Sequence, residues 1–417
     1  MNIFNTAQFI KKPGANDDGE EPMLCMWQGK DVVSKSECLS VRWSNDGNLV
    51  AGGGGDGAVR IYDAKNNGQL IKHLGEPARD NSKVGKMSLP PEETPVMSMR
   101  WHPKMSGRLR TAMSNGTIEL YDLKTKSSRQ TTKEVDEQNG NKPNQTLAID
   151  YHPSGDLWCS GGTDRVVRVY DEAAGNKPKL EMRGSLAGNR GHSNRICSVR
   201  FWPFNRNVVV TGGLDGTAMC WDTYGEMAGP DGEVPSLGEP YQTISDLDIR
   251  GDAIDFDDNT LLVGSWRPVA QLQFYDMRTG NLEKTIGWRK PRQQPYPVSV
   301  AKSRWSSVRD AVRGSCNIYA AQFIASGPNR GSFVAGGTGC QELKFFKKSA
   351  EDPENPQCAA AAKIDIPSGV HGLHVSPNGL YCAVAAVDGS VYNVKLPEKE
   401  KKPTPTPDIS TPRKDNP

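Results

Sequence analysis

The chain of 417 residues has no continuous apolar run of the ~18 residues that a membrane-spanning helix needs. It also lacks an excess of either charge, since 51 Lys and Arg face 49 Asp and Glu for a net charge of +2. A near-neutral chain is not attracted as a whole to nucleic acid or to anionic lipid. We therefore expect no membrane segment, and we regard nucleic acid as an unfavourable partner.

Paired cysteines are missing as well. The nine cysteines are scattered, and no Cys-x-x-Cys pair indicates a zinc site. Cys159, Cys197, Cys220 and Cys382 lie in apolar runs, where a reduced and buried thiol is the ordinary interpretation. The first residues lack the charged-then-apolar order of a secretory signal. These patterns predict a reducing, cytoplasmic location.

Residues arranged for catalysis are also hard to find. The glycines at 52–55 lack the following Lys-Ser/Thr and the helix that a phosphate-binding loop needs. His371 and His374 are three apart on a predicted strand, where they face opposite sides and do not easily share a metal ion. No nucleophile with a nearby base emerges. The sequence predicts a protein without enzymatic activity, metal or cofactor.

What the sequence does have is a repeat that is rich in glycine, with 43 glycines in all. Three clear copies read LSVRWSNDGNLVAGGGGDGAVRIYD at 39–63, LAIDYHPSGDLWCSGGTDRVVRVYD at 147–171 and ICSVRFWPFNRNVVVTGGLDGTAMCWD at 196–222. Weaker copies lie at 96–122, 251–276, 318–346 and 370–394. Each copy has an alternating strand, a small apolar strand, an Asp-Gly-type turn in several cases, and another alternating strand. Such a period indicates an array of sheets that bury their faces against one another.

The copy at 196–222 follows Gly191-His192 and ends on Trp221-Asp222, and these motifs resemble the WD-repeat family over about 22–396 of the chain. The resemblance implies an all-β, seven-bladed β-propeller of four-stranded antiparallel blades. A strand near residues 23–28 should close the ring by completing the seventh blade. The resemblance also implies one buried hydrogen-bonded tetrad, of His192, Thr211, Asp215 and Trp221. Other copies replace Trp by Tyr and lack Gly-His, so packing should stabilise those blades more.

The segments between and beyond the repeats are polar. We interpret 75–94, 124–145 and 225–240 as loops because they are rich in charge, Gly or Pro. Residues 1–21 and 397–417 are predicted to be a flexible N-terminal extension and a disordered C-terminal tail, which leaves 22–396 as the propeller domain.

Two groups of residues are candidates for partner binding. Residues 284–313 carry eight Lys and Arg against one Asp, with aromatic residues interleaved. This segment is either a basic surface for an acidic partner or a loop whose tryptophans pack under a blade. Its candidate contacts are Trp288, Arg289, Lys290, Arg292, Arg304, Trp305 and Arg309. The second group lies in turns that we expect on one face of the propeller: Arg165, Arg195, Trp266 and Arg267. Of these, Trp266 is expected either to contact a partner or to cover the central channel.

Because no catalytic set is evident, the predicted role is a protein-interaction scaffold within a large assembly. The phrases GHSNRICSVRFWP, GDAIDFDDNTLLVGSWRP and IYAAQF resemble a WD-repeat subgroup of ciliated and flagellated eukaryotes. That resemblance implies a structural protein of the axoneme and cytoskeleton, with tubulin or neighbouring axonemal proteins as partners. The alternative is a substrate-recognition adaptor of a ubiquitin ligase or a signalling complex.

Overall fold

The computed structural model describes residues 21–31, 36–75, 94–125, 127–174, 176–184, 190–224, 236–237, 239–288, 316–347, 362–366 and 369–397. These residues form seven sheets and one separate two-stranded hairpin, and each sheet has four antiparallel strands. Two of the sheets gain a short fifth strand that pairs in parallel at the outer edge. The only helical element in these ranges is a 3-10 turn at Glu137–Asn139. The predicted seven-bladed propeller is therefore confirmed.

The first four blades follow the chain, and in each blade the strands run in sequence order from the innermost to the outermost. Blade one comprises Cys38–Trp43, Leu49–Gly54, Val59–Asp63 and Gln69–Leu74. Blade two comprises Val96–Trp101, Arg108–Met113, Thr117–Asp122 and Ser127–Lys133. Blade three comprises Thr146–Tyr151, Leu157–Gly162, Val167–Asp171 and Pro178–Met182. Blade four comprises Ile196–Phe201, Val208–Gly213, Ala218–Asp222 and Gln242–Ile244.

The remaining three blades complete the ring. Blade five comprises Ile254–Asp257, Thr260–Gly264, Leu272–Asp276 and Leu282–Ile286. Blade six comprises Asn317–Phe323, Phe333–Thr338, Glu342–Phe346 and Ala362–Asp365. Blade seven comprises Val370–Val375, Tyr381–Ala386, Val391–Lys395 and, from the other end of the chain, Leu24–Gly29. Each of the seven inner strands contacts the inner strands of both neighbouring blades, and the contacts close into a circle.

The glycines of the repeat are explained by how closely the blades approach. A Cβ atom on Gly53 would lie 2.8 Å from Val96 Cγ1, and one on Gly264 would lie 2.5 Å from Ile318 Cγ2. Both glycines are on a second strand, and both contacts are to the inner strand of the next blade. A side chain at either position would force the neighbouring blades apart. Close contact between neighbouring blades thus explains why glycine occupies these second-strand positions of the repeat.

The ring closes through the start of the chain, as expected. Leu24–Gly29 pairs antiparallel with Val391–Lys395, with Leu24 opposite Lys395 and Gly29 opposite Val391. The preceding strand Glu21–Pro22 pairs in parallel with blade six, and Met23 N donates to Lys363 O at 2.8 Å. The first described residues therefore connect the outer edges of two blades.

Two of the predicted loops contain strands. The segment 124–145 supplies Ser127–Lys133, the outer strand of blade two, and the hairpin of Val135–Asp136 with Lys142–Pro143. The segment 225–240 supplies Ser236–Leu237, which pairs in parallel with blade three. The loop interpretation was wrong for these residues because an outer strand buries little surface and tolerates a charged sequence. Residues 1–20 and 398–417 lie outside the described part of the chain, so the flexibility predicted for both ends stays a prediction.

A truncation tests the ring closure. Removal of residues 1–29 should lower the free energy of unfolding by about 4 kcal/mol, since burial of Met23 and Trp27 contributes about 1.5–3 kcal/mol each. Urea unfolding followed by tryptophan fluorescence measures the change. A chain that lacks only residues 1–20 keeps both N-terminal strands and is the matched control. Equal stability of the two truncated proteins would contradict the closure.

Candidate functional site

The centre of the ring is filled by polar side chains. The residue directly before the bulky residue at the end of each inner strand is polar in all seven blades. These residues are Arg42, Arg100, Asp150, Arg200, Asp255, Gln322 and His374. Arg42 in blade one and Arg100 in blade two both bind Asp252, which precedes the inner strand of blade five. Such contacts join distant blades across the axis, so these side chains occupy the central channel.

The charges in the channel balance. Arg100 Nε donates to Asp150 Oδ1 at 2.7 Å and Arg100 Nη2 lies 3.2 Å from Asp252 Oδ1. Arg200 lies 3.7 Å from carboxylate oxygens of Asp150, Asp252 and Asp255. Burial and the neighbouring Arg200 lower the pKa of Arg100, Asp150 opposes both effects, and the net pKa is about 10. Three arginines and three aspartates thus neutralise one another inside the ring.

The same channel residues connect consecutive blades. Asp150 Oδ2 accepts a hydrogen bond from Phe201 N at 3.0 Å, and Asp255 Oδ2 accepts one from Phe323 N at 2.8 Å. Gln322 Oε1 accepts from Val375 N at 2.8 Å, and His374 Nδ1 accepts from Trp43 N at 3.1 Å. In each case a channel side chain binds the backbone of the next inner strand, so these bonds fix the register between blades.

The tetrad inferred for blade four has the expected geometry. His192 Nδ1 lies 2.9 Å from Asp215 Oδ2, and His192 Nε2 lies 2.7 Å from Thr211 Oγ1. Trp221 Nε1 donates to the same Thr211 Oγ1 at 2.8 Å. Burial raises the pKa of Asp215, but the hydrogen bond and charge of His192 outweigh it, and the pKa falls to about 2. These contacts link the loop before the inner strand and the turn after the second strand to the second and third strands of the blade.

Blade three uses a carboxylate in the place of the histidine. Glu134, from the segment before the inner strand, is buried and accepts from Tyr170 Oη at 2.7 Å and from Thr146 Oγ1 at 2.8 Å. It also accepts from Asn144 Nδ2 at 3.1 Å, and Ser160 Oγ donates to it. Packing was expected to replace the missing tetrad, but a different polar cluster does so.

One end of the propeller, which we call the upper face, carries the loops that enter the inner strands and the turns between second and third strands. The four residues predicted for one face all lie there. Arg165 and Arg195 are exposed, and Arg165 Nη2 donates to Gln138 Oε1 at 2.9 Å. Trp266 and Arg267 are partly exposed, and Arg267 binds Asp246. The structure brings these residues to a common surface, and their role in binding stays a prediction.

Trp266 belongs to an aromatic row on the upper face. Its ring meets Tyr319 edge-on with 4.8 Å between centroids, and the Tyr319 ring lies 5.2 Å from that of His371. The Arg250 guanidinium lies 4.3 Å from the Trp266 ring. Since the three rings belong to blades five, six and seven, the row stabilises the surface across two boundaries between blades.

Only residues 284–288 of the basic segment 284–313 are among the described residues. Trp288 is 2% exposed, and its Nε1 donates to Glu342 Oε2 at 3.0 Å, so this side chain packs into blade six and does not reach a partner. The packing is what the loop interpretation expected of its tryptophans. The other candidates lie outside the described residues: Arg289, Lys290, Arg292, Arg304, Trp305 and Arg309.

The channel residues were missed by sequence reasoning, although a signal was present. An inner strand lies between the central channel and the rest of its blade. A charged residue on such a strand is removed from bulk water, so it needs a buried partner. Arg42, Arg100 and Arg200 each stand before an aromatic residue at the same place in three copies of the repeat.

No helix in the described residues is long and apolar enough to cross a membrane.

Comparison with known families gives partial matches. Residues 135–171 and 184–222 match the family model "WD domain, G-beta repeat". Residues 24–88 match the model "Anaphase-promoting complex subunit 4 WD40 domain". The first model overlaps the three inner strands of blade three and of blade four, which hold two of the three clear copies of the repeat.

Curated relatives match over parts of their length. "Protein transport protein SEC31" of Kluyveromyces lactis is 22% identical over 49% of this chain and 19% of its own. "Cell division cycle 20.1, cofactor of APC complex" of Arabidopsis thaliana is 24% identical over 46% of this chain and 36% of its own. "Histone acetyltransferase type B subunit 2" of Candida glabrata is 26% identical over 30% of this chain and 27% of its own. The chain therefore spans less than two fifths of each relative.

The histidine of the channel should make stability depend on pH. Burial and the nearby Arg42, Arg100 and Arg200 hold the pKa of His374 well below its usual value. Below pH 6.5 the unfolded chain therefore binds a proton that the folded chain does not, and stability decreases as the pH falls, by about 1 kcal/mol per unit. In His374→Gln, an amide oxygen can accept from Trp43 N as Gln322 does from Val375 N.

Urea unfolding of both proteins between pH 7.5 and 5 checks this expectation. The free energy of unfolding of the wild type should fall more steeply than that of His374→Gln. Parallel curves would contradict a neutral histidine in the channel.

Proposed function

We propose that this chain, a seven-bladed propeller that carries WD40 repeats, is a non-enzymatic scaffold that holds partner proteins on its upper face. The observation that carries the proposal is the common placement of Arg165, Arg195, Trp266 and Arg267 on that face. The channel supports it in turn, because its charged groups bind one another and are not arranged to act on a substrate. Exposed surface is then what the propeller offers to other molecules.

The chemistry of the upper face suits an acidic protein partner. Arginine and tryptophan contribute most strongly to protein interfaces because they combine large contact area with directed hydrogen bonds. Trp266 is held by Tyr319 and Arg250, so little side-chain entropy is lost when a partner covers it. Arg165 and Arg195 are exposed and add positive charge to the same face.

Within this class, the proposed setting is the axoneme of a cilium or flagellum, with tubulin or neighbouring axonemal proteins as partners. The resemblance of three repeats to a ciliary subgroup favours it. The net positive charge of 284–313 also favours it, since that segment complements an acidic tail. The protein would then be one member of a large cytoskeletal assembly.

A substrate-recognition adaptor is the second candidate. The match of 24–88 to a domain of anaphase-promoting complex subunit 4 favours it. So does the similarity to a relative that is named a cofactor of the APC complex. An adaptor binds short peptides on one face, whereas an axonemal scaffold contacts several neighbours at once.

Charge reversal tests the upper face. The double variant Arg165→Glu/Arg195→Glu should lose at least 90% of the crosslinks that upper-face residues make to partner proteins, because both side chains are exposed and positive. Quantitative crosslinking mass spectrometry in native extracts measures this. Lys104→Glu/Lys177→Glu, at exposed positions in turns at the opposite end of the propeller, makes the same charge change and should keep the crosslinks. An equal crosslink pattern in both double variants would refute the proposed surface.

Fractionation tests the setting. Tagged protein in ciliated cells should stay with axonemes after detergent extraction and should leave them in high salt, because salt screens the basic segment from tubulin. Arg289→Gln/Lys290→Gln/Arg292→Gln should leave at lower salt than the wild type. Recovery of the wild-type protein in the detergent supernatant would exclude the axonemal setting and leave the adaptor.

A further inference from the structure

A second candidate site lies at the lower face, the end of the propeller opposite the upper face. A pocket of about 490 Å³ opens there between blade four and blade five. Its lining comes from residues that directly follow the inner strands and from turns between third and outer strands. Its aromatic and charged lining residues, together with one methionine, are Trp202, Asp222, Tyr224, Tyr241, Met277 and Arg278.

The floor of the pocket is apolar and fixed. Trp202 and Met277 are both buried, and Trp202 stacks on Phe256 with 6.4 Å between centroids. Trp202 Nε1 donates to Asp258 O at 3.1 Å, which joins blade four to blade five beneath the pocket. The indole therefore forms a rigid aromatic base.

The walls are two exposed tyrosines. Tyr224 is 79% exposed and Tyr241 is 54% exposed, and both are among the most exposed large aromatic residues of the described chain. The backbone positions them, since Tyr224 N donates to Asp222 Oδ1 at 2.8 Å and Tyr241 N donates to Cys220 O at 3.0 Å. Aromatic rings kept in water beside an apolar floor mark a surface for another molecule.

The pocket contains one carboxylate, that of Asp222, which has no ion-pair partner among the described residues. Arg278 is neutralised by Asp276, with Nε 3.0 Å from Oδ1 and Nη2 2.9 Å from Oδ2. Asp222 is exposed, and no cation of the described residues lies within ion-pair distance of it. Burial, the Cys220 thiol and the charge of Asp222 together raise the pKa of Tyr241, which is consistent with a carboxylate close to this wall. The pocket therefore presents aromatic faces and a negative charge.

We propose that this lower pocket binds the arginine side chain of a partner protein. A planar guanidinium stacks on aromatic faces, and it donates two parallel hydrogen bonds to a carboxylate. An anionic side chain would face Asp222, and a purely apolar one would leave that charge unpaired on binding. A site here is separate from the upper face, so one propeller holds two partners at opposite ends.

A matched pair of peptides tests the site on the full chain. The probe is acetyl-Gly-Ser-Arg-Ser-Gly-amide, and its control carries citrulline, which has nearly the shape of arginine without its charge. We expect the arginine peptide to bind at least ten-fold more tightly in titrations followed by nuclear magnetic resonance. Equal binding of the two peptides would overturn the proposal.

Variants locate the binding. Asp222→Asn retains the acceptor for Tyr224 N and should weaken binding of the arginine peptide about ten-fold, while Tyr224→Ala removes an exposed wall without affecting the core. Phe204→Ala is the aromatic control, because Phe204 is exposed on the lower face and does not line the pocket. Asp156→Asn is the control for charge at an exposed acid of that face.

Wild-type affinity in Asp222→Asn and in Tyr224→Ala, or an equal loss in the controls, would overturn the site. The upper-face variant Arg165→Glu/Arg195→Glu should bind the peptide as the wild type does. That result separates a failure of this site from a failure of the proposed function.

Discussion

Contact between neighbouring blades is the interaction on which the rest of this structure depends. A four-stranded sheet has two faces, and each face is covered by one of the two neighbouring blades in the circle. The glycines at Gly53 and Gly264 mark how short the distance between blades is, since a methyl group at either position would meet a neighbour. Because every blade needs two neighbours, the array is stable only when it is closed.

The channel is a consequence of that closure. Seven inner strands meet around an axis, and the side chains that point inward pair with one another and with the backbone of neighbouring inner strands. Arg42 and Arg100 pair with Asp252 from the other side of the ring, and Arg200 approaches Asp252 from the adjacent blade four. Opposite charges that are paired in a confined place hold a single geometry, although such pairs add little net stability over apolar packing. The polar centre therefore supports the register between blades.

The sequence was sufficient for the features that repeat. The Gly-Gly strand ends and the Asp-Gly turns indicated an array of repeated sheets, and the resemblance of Gly191-His192 with Trp221 to the WD-repeat family implied seven blades and one tetrad. The upper-face turns could be located from the same period. It was insufficient where a partner comes from a distant part of the chain. Glu134 lies in a charged segment that looked like a loop, and Asp252 pairs across the axis with arginines on two other blades. Tyr224, Tyr241 and Asp222 meet Met277 only because blade four packs beside blade five. Such contacts depend on the three-dimensional arrangement and have no local pattern.

The pairing of Leu24–Gly29 with Val391–Lys395 also governs when the ring can close. Leu24–Gly29 is synthesised long before its partner Val391–Lys395 leaves the ribosome. Until then Leu24–Gly29 has no partner strand, and its edge stays unpaired. Synthesis at about 5–20 residues per second leaves that edge open for tens of seconds. A nascent chain of this design is exposed to strand addition from other chains over that interval, and chaperones that cover sheet edges would act on it then.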